Sequence, residues 1–416
     1  MSSRRPAEPR TVEPQRTQGV IRFEMPEDTL PPSHPARLLW DVVGTLDLAR
    51  FLADAKAVEG APGRPTLSPR MMLTLWLYAI SQGVGSAREI ARSASTDAAY
   101  RWIAGELSVS HHALSAFRVG HGDALDALMT DILAALVHKG VLSLELVAQD
   151  GMRVRAHASA PSFRSYGSLL ECREQAALHL KAVLAEADDP EPTRVEKAAR
   201  EAAALDFKER VEQAIVTVKE LQASRKPSAS PARASTTDAE ARVMKMADGG
   251  FRPAYNVRAA TAGSPMGGPR TIVGVEVNNI GSDMSGIPPM LDQIQRRTGQ
   301  LPKVLLADAN HSAFDAIRDA TARGVEVIMP VPKRSQSTES CAGDDAISAW
   351  RTRMQTDEAR TLYRARASLC ELTNAHQRTL QGLDQFLVRG ISKVTCVALL
   401  GAIASNLLQH ASALLS

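Results

Sequence analysis

The chain has 416 residues, 44% of them apolar, and its 49 Lys/Arg against 46 Asp/Glu give a formal net charge of +3. That length suits two or three domains, and the apolar fraction is ample for a core. So small a net charge excludes a uniformly basic nucleic-acid binder, and any basic surface must be local.

In chain order, Met1 to about Pro32 is polar and proline-rich and reads as a disordered tail, residues 1–32. A helical block follows over residues 33–140. Pro35–Val43 and Leu46–Ala57 carry apolar residues at helical spacing, and Ser68 with Pro69 at the first helical position predicts a helix over Pro69–Ser81. Gly83 and Gly85 end it. Ser86–Ser93, Thr96–Ala104 and Ser110 to about Val137 read as further helices. Short helices joined by tight turns suit a helix-turn-helix-like DNA-binding module or an ordinary helical bundle, and spacing alone leaves both open.

The period changes at residue 141. Leu144, Leu146 and Ala148 alternate with their neighbours as in a largely buried strand, Asp150-Gly151 reads as a turn, and Met152–Ala156 alternates again. Residues 161–235 read as a helical hairpin and linker. Pro190 and Pro192 divide it, and Glu196 to Arg200 and Asp206 to Arg210 are i,i+4 pairs. From Arg164 to Arg242 there are 13 Lys/Arg and 14 Asp/Glu, a balance that argues for a solvated or self-associating face over a phosphate contact. Lys226–Ser235 is a Pro/Ser/Ala linker. Strands then follow at Tyr255–Ala259 and Thr271–Val277, a helix at Ile287–Thr298, a strand at Lys303–Ala307, a helix at Ser312–Arg323 and a strand at Val325–Met329. That order predicts an α/β sheet with an antiparallel edge over residues 141–160 and 236–416.

Three acids stand at positions suited to chemistry. Asp150 and Asp308 each end an apolar run, and Glu371 lies in the helical pattern Tyr363-x2-Arg366-x4-Glu371-x6-Arg378. Two strand ends and a helix can together hold two divalent ions for in-line phosphoryl displacement. Carboxylates without nearby His or Cys favour Mg²⁺ or Mn²⁺. Each acid also has a plainer reading: Asp150 in a turn, Asp308 as a helix cap, Glu371 as a solvated helix residue. From Arg351 to Lys393 there are 8 Lys/Arg against 4 Asp/Glu, the local basic bias that phosphate binding needs, although a solvated helix gives the same count.

The stretches Val147–Ser159, Thr237–Val257, Leu306–His311 and Tyr363–Gly390, with Asn406-Leu407, occur in an order that resembles bacterial insertion-sequence transposases of the DDE class. Within that group the chain is similar to members with an insertion after the first catalytic strand. Gly63-Arg64-Pro65 and Phe117-Arg118 resemble the family's N-terminal DNA-binding domain. The resemblance covers about residues 33–410 and departs from the family pattern at Met152, at Asp308-Ala309-Asn310-His311, at Leu372, Asn374 and Ala375, and at Arg378.

The resemblance implies an RNase H-like mixed sheet with flanking helices, an all-α N-terminal domain and a helical-hairpin insertion. It implies catalytic, metal-binding Asp150, Asp308 and Glu371, two Mg²⁺ or Mn²⁺ ions, and DNA contacts by Tyr363, Arg366, Arg378 and Arg118. It implies DNA strand cleavage and strand transfer on double-stranded element ends and target, by a homodimer on DNA. A repurposed, catalytically silent DNA-binding protein and a nuclease without strand transfer are the alternatives. Cys172, Cys341, Cys370 and Cys396 lack CxxC spacing and read as reduced thiols. With no apolar core in the first 30 residues, and with Val397–Leu408 read as too short for a bilayer, the expected location is cytoplasmic and nucleoid-associated, off the membrane.

Overall fold

The computed structural model describes residues 23–53, 65–185, 193–226, 230–332 and 344–416. Most of the expected tail, the end of the helix expected at Leu46–Ala57, Gly63-Arg64, the Pro190/Pro192 break, Cys341 and part of the expected linker lie outside them. The helical block consists of α1 (Pro35–Gly44), α2 (Pro69–Ser81), α3 (Ala87–Thr96), α4 (Ala98–Ala104), α5 (His111–Gly120) and α6 (Gly122–His138). Side-chain caps open four of these helices, α1 by His34, whose Nδ1 accepts from Ala36 N, and three more. Ser86 accepts from Glu89 N, Asp97 from Ala99 N and Tyr100 N, and Ser110 from Ala113 N. The single helix expected from Ser110 to Val137 is broken at His121. Glycines on either side of His121 weaken the helix there, and a Cβ on Gly122 would stand 3.4 Å from Cys396 Sγ. Helix α2 buries nearly all its residues, the pattern of a central helix.

The sheet elements follow: β1 (Leu146–Arg155), β2 (Phe163–Arg164), α7 (Tyr166–Ala185), α8 (Arg194–Ala223), β3 (Ala234–Ser235), β4 (Arg242–Lys245), β5 (Phe251–Ala262), β6 (Thr271–Asn278), α9 (Ile287–Thr298), β7 (Val304–Leu306), α10 (Phe314–Ala322) and β8 (Glu326–Ile328). The chain then forms α11 (Asp345–Arg353), α12 (Asp357–Arg366), a π-helical turn (Ala367–Glu371), α13 (Leu372–Thr379) and α14 (Ile391–Leu415). The result is a mixed α/β structure. Its main sheet runs β4-β5-β1-β7-β8, with β6 also on β5. Strand β1 pairs antiparallel with β5 and parallel with β7.

Asp150-Gly151 is not a turn. β1 runs straight through it, because β5 offers a backbone partner to every residue from Val147 to Arg155. Helices α7 and α8 pack antiparallel around Leu169, Val211, Ala214, Ile215 and Val218, a cluster separate from the main core. Thr193 and Glu196 form a capping box on α8, so Glu196 serves the helix end as well as its surface. The main core is continuous from the helical block through both faces of β5 and β6 to α14.

Helix α14 corrects the expectation drawn from Val397–Leu408. At 25 residues it is long and apolar enough to cross a membrane by length and composition, with 61% of its apolar window buried inside the protein. Asn406 binds the backbone N–H and C=O of Ile272, each at 2.8 Å. His410 Nε2 lies 2.7 Å from Thr271 Oγ1. These polar side chains fasten the helix to the free edge of β6, where backbone groups would otherwise lack partners.

Candidate active site

The parallel register between β1 and β7 sets the first two acids side by side. Leu146 faces Val304 and Ala148 faces Leu306, so the same offset two residues on brings Asp150 beside Asp308. Asp308 stands two residues beyond the end of β7, at the carboxyl end where α/β sheets hold ligands. Asp308 does act as a cap, on the short turn Ala309–His311. Its Oδ1 accepts from Asn310 N at 3.0 Å and lies 2.7 Å from His311 Nδ1, while Oδ2 accepts from Asn310 Nδ2 at 2.8 Å. His311 is fully buried, so the carboxylate is held from beneath.

Glu371 arrives on the π-helical turn that joins α12 to α13. One guanidinium links it to Asp150. Arg366 Nη1 donates to Glu371 Oε1 at 2.7 Å, and Nη2 reaches Asp150 Oδ1 at 2.9 Å. Asn374 Nδ2 donates to the other Asp150 oxygen at 3.1 Å. Arg366 is only 11% exposed, whereas Glu371 is 54% exposed. The guanidinium therefore lies at the floor of the site and Glu371 at its rim.

The electrostatics separate the acids. Burial raises the Asp150 pKa, and the neighbouring Asp308 adds to that rise against the pull of Arg366. Burial also works to raise Asp308, but the His311 hydrogen bond, with Arg366 and Asn310, outweighs it and lowers the pKa. Burial works to lower Arg366, yet Asp150 and its other neighbours hold it above the ordinary value. Burial pushes the Cys370 thiol, one residue before Glu371, up to about 12, so it stays protonated.

Asp150 and Glu371 open on a groove of about 1160 Å³ lined also by Arg153, Lys245, Asn310 and Arg378, among others, with Asp308 behind its Ala309-Asn310 wall. Arg378 donates to Arg153 C=O at 2.9 Å and stands on the groove wall. Tyr363 is half-buried beside Arg366, and burial raises its pKa. Arg118 is elsewhere and faces inward. It lies over Trp76 at 4.6 Å and donates to Gly85 C=O at 2.7 Å, and burial lowers its pKa to about 10.

A second charged cluster lies under the groove, and the sequence patterns did not mark it. Asp283, in the loop between β6 and α9, accepts from Asn256 Nδ2 at 2.6 Å, Arg153 Nη2 at 2.9 Å and Arg258 Nε at 3.3 Å. Arg258 also reaches Glu276 Oε2 at 3.1 Å and donates to Ser282 C=O at 2.7 Å. Gln149 donates to Gly286 C=O at 2.8 Å. Gly151 is required here, since a Cβ would stand 2.6 Å from Asp283 Oδ1 and 3.0 Å from Asn256 Oδ1. Asn310, His311 and Asn374, three positions where the chain departs from the family pattern, all touch Asp150 or Asp308.

The donor set consists of carboxylate oxygens at the mouth of a polar groove, which fits a hard divalent cation. A cationic group already sits between Asp150 and Glu371. Among the described residues, no three His, Cys, Asp or Glu side chains form a ready-made metal cage. The Arg366 guanidinium stands where such a cage would have to close. The site thus fits a metal by the chemistry of its donors, two of which are bonded to Arg366.

Two family models match the chain. Residues 24–119 match the Transposase domain (DUF772), and residues 330–411 match a Transposase DDE domain. The second match contains Glu371, Arg378 and α14, while Asp150 and Asp308 lie between the two. No curated protein and no solved structure matches the chain.

Proposed function

We propose that this chain, whose two ends are those of an insertion-sequence DDE transposase, is a divalent-metal-dependent DNA transposase with an RNase H-like catalytic domain. The observation that carries the reading is that Arg366 bonds both Asp150 and Glu371 while the parallel register of β1 and β7 sets Asp308 beside Asp150, although Glu371 lies 63 residues (371 − 308) beyond Asp308. With β2, β3 and the edge strand β4 set aside, the sheet order β6-β5-β1-β7-β8 is 3-2-1-4-5, which supports the RNase H-like assignment.

Asp150, Asp308 and Glu371 would hold Mg²⁺ or Mn²⁺. Bound there, divalent ions supply the Lewis-acid chemistry of in-line phosphoryl displacement. Asn374 orients the Asp150 carboxylate, and Asn310 with His311 orients that of Asp308. Lys245 and Arg378 line the groove and would hold backbone phosphates of the DNA along its wall. Strand transfer uses the same acids on a 3′-hydroxyl in place of water. The residues of 33–140 would bind element ends; Arg118, sunk over Trp76, would support that surface from inside.

Asp308→Asn tests the reading. It should abolish Mg²⁺-dependent nicking of element-end DNA and leave end binding nearly unchanged, since phosphate affinity comes from Lys and Arg. Nicking by Asp308→Asn at the parent rate would overturn the assignment. A parent that binds ends tightly and never nicks would make the chain a silent DNA-binding descendant.

A further inference from the structure

We infer that Arg366 is a built-in counter-cation. It occupies the divalent-ion position between Asp150 and Glu371 while the site is empty, and must be displaced for metal to load. This rests on the metal reading above and adds a residue role to it.

The geometry is specific. Five residues along an α-helix turn about 500°, which leaves their side chains about 140° apart and out of reach. Arg366 and Glu371 are five apart and yet bonded at 2.7 Å. The π-helical turn Ala367–Glu371 makes this possible, because its i→i+5 closure brings residues five apart onto one face. Such a turn is rare and, among the described residues, occurs only where the helix passes the acids. It does two jobs: it carries Glu371 to the groove rim and folds the Arg366 guanidinium between Glu371 and Asp150.

The charge balance supports the same role. Asp150, Asp308 and Glu371 carry three negative charges when ionised, and Arg366 is the cation bonded among them. Three carboxylates so close repel one another unless a cation intervenes. A guanidinium can bridge two carboxylates with separate N–H groups, which a single ammonium cannot do as well.

The test is Mn²⁺ titration of the full-length chain by isothermal calorimetry, with no DNA and no turnover. Arg366→Gln should bind Mn²⁺ about tenfold more tightly than the parent, the scale of one charge-assisted hydrogen bond that no longer has to break. Arg366→Lys should fall between the two, and it serves as the probe if the Gln variant fails to fold. Without metal, Arg366→Gln should melt below the parent, and Mn²⁺ should restore more of its stability than it adds to the parent. Equal or weaker Mn²⁺ binding by both variants would overturn the inference and make Arg366 a support for the ligands. In that case, loss of parent binding in Asp150→Asn would leave the metal site itself standing. No Mn²⁺ binding by the parent or by either Arg366 variant would overturn both readings.

Discussion

Two arginine–carboxylate clusters lie one above the other on β1, and they differ in charge balance. In the lower one, Arg153 and Arg258 meet Asp283 and Glu276, two cations for two anions. Arg258 is 1% exposed and Asp283 is 3% exposed, and Asp283 receives three donors. Such a pair is costly to bury, and full hydrogen bonding offsets the cost. In the upper cluster Arg366 bonds two carboxylates, Asp150 and Glu371, with Asp308 beside Asp150, and the groove keeps Asp150 and Glu371 in touch with water. A balanced cluster holds a loop in place. An unbalanced one has room for further positive charge, which is what the metal-binding role proposed for the upper cluster requires.

Removing an acid from each cluster should separate them most widely. Asp283→Ala leaves Arg258 buried and short of a partner, and should cost about 3–5 kcal/mol in urea unfolding. Asp150→Asn should cost about 1 kcal/mol or less, because burial and Asp308 already penalise the charged form there. Equal losses would show that the upper acids are structural too, and the distinction would fail.

Gly151 joins the clusters, being next to Asp150 and in contact with Asp283. Gly151→Ala should cost about 1–3 kcal/mol, since the new methyl group meets buried polar atoms that cannot retreat. Pairing it with Asp283→Ala sharpens the comparison. If the collision with Asp283 is the cause, the double variant should lose less than the sum of the two single losses. Strict additivity would place the strain elsewhere on β1.

Much of this architecture was readable because it rests on local signals. Ser68-Pro69 marked the start of α2, and α9 has the limits expected for it, Ile287 and Thr298. The three acids were legible because two end apolar runs and one sits in a spaced motif. The turn reading of Asp150-Gly151 failed because a turn dipeptide carries no record of a long partner strand such as β5. β4, only four residues long, was too short for alternation to stand out. The π-helical turn left no trace in composition, since Ala367–Glu371 reads as ordinary helix and its extra residue shows only in which side chains meet. Asp283 was missed for a related reason: its partners on β1 and β5 are distant in sequence, and no short motif connects them.

A third pairing, between the helical block and the sheet layer, gives the smallest and most pH-specific effect. Asp126 on α6 binds Arg296 and the buried Arg297 on α9. Burial works to raise the Asp126 pKa, but hydrogen bonds and charge from both arginines outweigh it and lower the pKa. The sign follows from linkage. A carboxyl held below its unfolded value of about 3.9 stabilises the fold above that pH, and the benefit is lost as pH falls through the lowered folded value. Asp126→Asn should therefore cost about 1–2 kcal/mol at neutral pH, as one charge-assisted interaction weakens and Arg297 keeps a neutral acceptor. Urea midpoints of parent and variant should differ by a constant amount from pH 7 to about pH 5 and converge below about pH 4. A gap that instead widened on acidification would mean that Asp126 is protonated more readily in the folded chain, and the pairing with Arg296 and Arg297 would not be what holds α6 to α9.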